Sequence, residues 1–134
     1  MPSYMFDTDI CSFVMRRSHT ALLGRVRATA VADVCASVVT KAELMFGIAV
    51  SPSPDRDRAA LEGLLRFVAI VELDEETAAH YADIRADLKR RGEMIGANDL
   101  FIAAHARRLG LVLVTANVRE FERVSRLAVE NWAA

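Results

Sequence analysis

Gly96-Ala97-Asn98-Asp99-Leu100-Phe101-Ile102-Ala103-Ala104-His105-Ala106-Arg107-Arg108-Leu109-Gly110-Leu111-Val112-Leu113-Val114-Thr115-Ala116-Asn117 is the stretch that decides how the chain is read. Asn98 and Asp99 are helix-start residues, and Leu100, Ala103, Ala104 and Ala106 follow at helical spacing. Gly110 stops the helix, as a glycine just past the last periodic residue does. Leu111 to Val114 is then a short, unbroken apolar run, which suits a strand covered on both faces of a parallel sheet. The strand ends in a polar tip, Thr115 and Asn117. In an open α/β sheet, ligands collect at the carboxyl ends of the strands.

The same alternation extends in both directions. Tyr4-Met5-Phe6 reads as a first strand that runs into Asp7-Thr8-Asp9. Broken helical periodicity follows, two helices joined near Ser18. Val31 to Thr40 reads as a second strand with Ser37 and Thr40 as its polar exceptions. Lys41 to Val50 reads as a helix that is apolar almost all round and therefore buried. Asp55 to Phe67 is a third helical segment capped by Asp55, Ala69 to Leu73 a third strand, and Asp74 caps a helix that Gly92 stops. Past Asn117, Arg119 to Val124 reads as a helical turn or two and Leu127 to Trp132 as a last strand. Strands alternating with helices predict one α/β domain over residues 1–134, with a mainly parallel sheet and helices on both faces.

The chain has 134 residues, 53% hydrophobic and 26% charged, with a net charge of −1. That is a globular composition, neither disordered nor fibrous. No apolar run approaches the roughly 20 residues that span a bilayer, and no signal peptide is evident, so the cytoplasm is the expected compartment. Cys11 and Cys35 form no zinc or CxxC pattern and are expected as buried thiols. The motifs GxxxxGK[ST], GxGxxG and GxSxG are absent, which excludes their phosphate-cradling and nucleophile-elbow chemistry.

Acids gather just after the strands: Asp7 and Asp9 after the first, Glu43 beyond the second, Asp99 before the fourth, with Asn117 after it. A parallel sheet brings these segments to one rim. Asp7, Asp9 or Asp99 alone would be ordinary helix-start residues. Glu43 is the one acid on an otherwise apolar helix, and its neighbour Lys41 does not face it. Two unit charges 4 Å apart repel by about 4 kcal/mol at an effective dielectric near 20. Converging carboxylates would therefore take up protons or bind a divalent cation, and oxygen donors suit Mg2+ or Mn2+. Hard donors without a nucleotide loop point to metal-assisted phosphodiester hydrolysis. His19, His80 and His105 lie far apart and are expected as surface or packed residues.

The chain resembles PIN-domain ribonucleases and, among them, the VapC toxins of type II toxin–antitoxin pairs. The resemblance rests on Phe6-Asp7-Thr8-Asp9, Thr40-Lys41-Ala42-Glu43-Leu44 with Gly47, Gly96 to Leu100 with Ile102 to Ala106, and Leu113 to Asn117 through Arg119-Glu120-Phe121, closing on Glu130-Asn131-Trp132. It implies a PIN-like three-layer α/β/α fold with about five strands. It implies a Mg2+- or Mn2+-dependent endoribonuclease with Asp7, Glu43 and Asp99 as the metal site, Asn117 completing the catalytic set, and a homodimer held inactive by a VapB antitoxin. The ending is most like toxins that cut initiator tRNA in its anticodon stem-loop. Many PIN domains carry a fourth acid where this chain has Asn117, and Asp9 is a candidate to compensate. Thr8, Thr40 and Thr115 are candidate hydroxyls for orienting the carboxylates. Arg85, Lys89, Arg90, Arg91 and Arg119 are candidates for RNA phosphates. The apolar sides of the Asp55–Phe67 and Lys41–Val50 helices offer a groove for an antitoxin helix.

Two other readings compete. Asp7-Thr8-Asp9 after a first strand is also the DxD of haloacid-dehalogenase-like phosphatases, but Ile10-Cys11 replaces that family's Gly-Thr. A non-catalytic metal-binding regulatory domain would keep the pocket for Mg2+ alone.

Overall fold

The computed structural model describes residues 2–134. Its elements are β1 (Tyr4–Phe6), α1 (Thr8–Met15), α2 (Thr20–Ala28), a short 3-10 turn (Val31–Asp33), β2 (Val34–Ser37), α3 (Val38–Ala49), α4 (Pro54–Leu65), β3 (Ala69–Val71), α5 (Thr77–Arg91), α6 (Ala97–Leu109), β4 (Val112–Val114), α7 (Val118–Phe121) and β5 (Val129–Glu130). The strands form one sheet in the order β3-β2-β1-β4-β5, and every neighbouring pair is parallel.

Alternation along the strands divides the core into two layers. Met5, Cys35 and Leu113 face α5 and α6, packing with Leu88, Ile102 and Phe121. Phe6, Val34, Ala36 and Val114 face the other way, onto Ile10, Leu22, Leu44 and Leu61 of α1 to α4. Trp132 closes the second layer with its ring edge-on to Tyr4 and Phe6. Cys11 and Cys35 are free and buried, as expected. Gly92 and Gly110 end α5 and α6 with φ of 65° and 68°, the left-handed region where a Cβ is strained.

Three expectations are corrected. The second strand is shorter than Val31–Thr40. The Ser37 hydroxyl accepts a hydrogen bond from the Val39 N–H at 3.1 Å, so the chain turns into α3 at Val38. This capping overrides the β preference of Val38, Val39 and Thr40 and places Glu43 in the second turn of the helix. The cap of α4 is Ser53 with Pro54 in the first position, and Asp55 sits inside the first turn. Finally, α3 is not buried all round. Only Thr40, Leu44 and Ile48 are buried, while Met45, Phe46 and Val50 are 54, 68 and 65% exposed. A helix apolar on every side has no periodicity to say which side faces the core.

The strand order reverses beside β1: the chain leaves it for β2 on one side and returns to β4 on the other. The crevice beyond the carboxyl ends of β1 and β4 is the switch point where this architecture binds ligands.

Candidate active site

Asp7 follows β1 directly and its backbone N–H reaches the Val114 carbonyl at 3.0 Å, which joins the ends of β1 and β4. Its carboxylate caps α1, accepting from the Ile10 N–H at 2.9 Å, and its other oxygen accepts from the Thr115 hydroxyl at 2.5 Å. Asp7 therefore caps the helix as expected, and the same side chain lines the hollow at the strand ends. Burial pushes its pKa up to about 6 against those hydrogen bonds, and the charges of Asp9 and Glu43 push the same way.

Glu43 reaches the same place from α3. Thr8 Oγ1 donates to Glu43 Oε1 at 2.5 Å and lies 3.3 Å from Thr40 Oγ1. Thr115 Oγ1 also accepts from the Asn117 N–H at 2.9 Å. Thr8 and Thr115 each donate to a carboxylate, whereas Thr40 reaches only the Thr8 hydroxyl. Asp9, exposed on the first turn of α1, does not cap the helix, because Asp7 does.

Asp99 lies in the first turn of α6, where the helix N-terminus favours negative charge. Burial nevertheless raises its pKa to about 7. The charge of Glu120 and a hydrogen bond between the two side chains add to the rise, as do the charges of Glu43 and Asp7. Asp7, Thr8, Asp9, Glu43, Asp99 and Asn117 line a single hollow of about 150 Å3.

Glu120 is the residue that sequence reasoning missed. One of its carboxylate oxygens accepts from the Gly96 N–H at 3.1 Å and the other from the Asn117 side-chain amide. A Cβ on Gly96 would stand 3.4 Å from Asp99 Oδ2 and 4.0 Å from Glu120 Oε1, in ordinary contact with both acids. The three-residue spacing of Asn117 and Glu120 becomes a signal only once α7 is known to begin at Val118, which puts the two on one face of a turn. Asn117, which lacks a charge of its own, fixes an acid that has one.

Apart from Phe121, every side chain lining the hollow offers oxygen, and burial together with neighbouring carboxylates makes Asp7 and Asp99 hold protons at higher pH than usual. That is the electrostatic signature of a place a hard cation would relieve, so the residues fit a divalent metal of the Mg2+ class. Among the described residues, no three or more carboxylates, imidazoles or thiols stand close enough together to hold a metal ion as they are placed. Three of the acids are tethered by donors of their own, Asp7 by Thr115, Glu43 by Thr8 and Glu120 by Gly96 and Asn117.

The basic candidates divide. Arg91 is engaged by Asp87 and Glu93 and donates to the Arg123 carbonyl. Arg85 donates to Tyr81 Oη at 2.8 Å. Lys89, Arg90 and Arg119 are exposed. His105 is packed in α6 with Nδ1 2.8 Å from Ser37 Oγ, and burial lowers its pKa. His19 stacks on Phe13 at the surface, and His80 accepts from Arg107.

The family model described as "PIN domain" matches residues 4–127. The chain is 43% identical to ribonuclease VapC2 of Haemophilus influenzae over 132 residues, 98% of this chain and 99% of that one. It is 38% identical to the tRNA(fMet)-specific endonuclease VapC of Shigella flexneri, covering 99% of this chain and all of that one. The crystal structure of DNA-bound VapBC from Salmonella typhimurium superposes with a TM-score of 0.92 at 36% identity, covering 98 and 99% of the two chains.

Proposed function

The chain belongs to the PIN-domain family, and on that premise we propose that it is a VapC-type endoribonuclease toxin. It hydrolyses RNA phosphodiesters with Mg2+ or Mn2+ and is neutralised by a VapB-type antitoxin. The observation that carries the reading is the hollow at the carboxyl ends of β1 and β4, where Asp7, Glu43 and Asp99 meet with no Lys or Arg among the lining residues. The full-length similarity to a ribonuclease and to a tRNA(fMet)-specific endonuclease supports RNA, and initiator tRNA, as substrate. Similarity to a VapBC complex supports the antitoxin partner. Action as a homodimer in the cytoplasm is part of the same proposal; no helix of the described residues is long and apolar enough to cross a membrane.

Asp7, Glu43 and Asp99 would hold the cation, with Glu120 beside Asp99 and Asp9 at the edge of the hollow. A bound divalent cation would supply Lewis acidity toward the phosphodiester and the attacking water. The chain's own work is to present charge in fixed positions. Thr115 and the Ile10 N–H hold Asp7 by both oxygens, and Thr8 fixes Glu43. The Asn117 amide and the Gly96 N–H aim Glu120. With Asp7, Glu43 and Glu120 preset in this way, little reorganisation of these three accompanies the reaction. Lys89, Arg90 and Arg119 are proposed to hold the RNA through phosphate charge rather than base reading.

The phosphatase alternative finds no support in the comparisons. The non-catalytic reading rested on the missing fourth acid; Glu120, held by Asn117 and hydrogen-bonded to Asp99, is proposed in its place.

Purified protein freed of antitoxin should cut a discrete site in a panel of small RNAs including initiator tRNA. The cut should require Mg2+, vanish in EDTA and vanish in Asp7→Asn. Intact RNA in Mg2+ with metal binding still detectable would overturn the nuclease reading in favour of the regulatory one.

A further inference from the structure

A hollow of about 150 Å3 has room for a phosphodiester group and little else. The nucleosides on either side of a bound phosphodiester must therefore lie outside it. Two wider hollows adjoin, and both share Thr8 and Glu43 with the acidic one. The first, about 250 Å3, runs between α1, α3 and α4 past Ser12, Met15, Arg16, Leu44, Ile48 and Asp57. It contains no aromatic ring and carries an acid of its own. The second, about 650 Å3, is a shelf of Val39, Ala42, Phe46, Leu73, Asn98 and Phe101.

Helical spacing explains why this shelf abuts the acids. Phe46 follows Glu43 by three residues on α3, and Phe101 follows Asn98 by three on α6, so each aromatic shares a face with a polar residue at the rim. Phe46 is 68% exposed. Phe101 is braced from behind by Tyr81, with ring centroids 4.3 Å apart and planes 20° from parallel. Asn98 is exposed and Glu43 half-buried at the boundary with the acidic hollow.

We propose that this shelf binds the unstacked nucleobase next to the scissile phosphodiester, with Phe46 as its stacking face and Asn98 reading its edge. The proposal rests on the ribonuclease reading and names the part of the substrate that the same site holds. Single-stranded loops are recognised by splaying bases onto aromatic rings, and the π-face of any base suffices for stacking. An amide offers both a donor and an acceptor to a base edge, which gives the shelf a means of preferring one base. Because Thr8 and Glu43 border both hollows, a base on the shelf and a phosphodiester at the acids are neighbours in one strand.

The test uses the anticodon stem-loop of an initiator tRNA, intact and with single abasic residues placed in turn through the loop. Binding is read in Mg2+ with Asp7→Asn, and single-turnover cleavage with otherwise unaltered protein. Phe46→Ala should weaken binding of the intact loop roughly tenfold to a hundredfold. One abasic position beside the cut should cost as much by itself, and the two changes together should cost no more than either. Asn98→Ala should flatten the preference for the base at that position while leaving the abasic RNA unaffected. Losses that multiply, or binding unchanged by Phe46→Ala, would overturn the proposal. So would a change from dimer to monomer in Phe46→Ala, seen by sedimentation, with weakened binding of intact and abasic RNA alike. That outcome would make the shelf a contact between copies. RNA bound with the non-additive pattern but never cut would uphold the shelf and remove the nuclease reading instead.

Discussion

The aspartates of this chain live in two contrasting settings. On the flank formed by α5 and the loop before it, Asp74, Asp83 and Asp87 are each matched to arginine: Arg108, Arg107 with Arg126, and Arg91. Their pKa values are lowered, chiefly by hydrogen bonds from Thr77, Arg107 and Arg91. At the rim of β1 and β4, Asp7 and Asp99 have no arginine. Burial raises them to about 6 and about 7, and their nearest charged neighbours are other acids. The same side chain is thus a structural partner on one face and an unmet charge on the other. Fold stability alone would favour pairing or removing the rim acids. Their persistence is understandable if what completes them comes from solution, a cation and then an RNA phosphate.

The largest test of that contrast is activity. Asp7→Asn or Asp99→Asn should lower RNA cleavage on the order of a hundredfold or more, because each removes a preset charge at the reacting group. Cleavage by either variant within a few-fold of the unaltered protein would erase the distinction between the two settings. Stability should move the opposite way. Without metal, Asp99→Asn should melt higher than the unaltered protein near neutral pH, since it deletes a charge that Glu120, Glu43 and Asp7 repel.

The pH profile sharpens the contrast further. Between about pH 4 and 7 the folded rim holds protons that the unfolded chain, with ordinary Asp values near 3.8, has released. Metal-free stability should therefore fall as pH rises through that window, by about 1–3 kcal/mol from Asp7. The arginine-paired acids have the opposite sign: their contribution is in place above pH 4 and is lost as pH falls below it. Saturating Mg2+ should flatten the fall near neutrality by binding only the folded, deprotonated rim. Thermal melts from pH 4 to 8, with EDTA and with Mg2+, measure both. Buried His105, whose pKa is lowered, contributes a rise of its own in this window, so the rim is read against Asp7→Asn: a fall no steeper in the unaltered protein than in that variant would contradict the electrostatics of the rim.

How much of this was legible in the sequence follows from what each signal encodes. β1, α6 and β4 could be read because apolar runs, helix-start residues and stop glycines act locally. That Asp7, Glu43 and Asp99 share one hollow could be read because they follow or precede strands that a parallel sheet must gather. Glu120 could not be singled out from the Arg-Glu-Phe-Glu-Arg run by charge, since Glu122 two residues on looks alike. Only the turn of α7 and the Asn117 amide distinguish it. The exposed face of α3 was hidden for the reverse reason: hydrophobicity on every side erases the period that orients a helix. Glu120→Gln tests the residue that only the structure revealed. It keeps an oxygen for Gly96 or Asn117 and removes the charge, so cleavage should fall roughly tenfold, less than at Asp7 or Asp99. Activity equal to the unaltered protein would return Glu120 to the surface charges.

Asp83→Asn should have the smallest effect, and the reason lies in its partner. The Arg107 guanidinium is nearly buried and holds Asp83 Oδ2 at 2.8 Å, His80 Nδ1 at 3.0 Å and the Ser125 carbonyl at 3.2 Å. Asp83 itself is half exposed, so solvent screens the ion pair, and Arg107 keeps its other acceptors when the charge is gone. The variant should keep a urea midpoint close to that of the unaltered protein and cleave RNA at an unaltered rate. If it instead impairs cleavage as strongly as Glu120→Gln, the pairing on α5 must bear on the rim through α6, and the two settings are not independent.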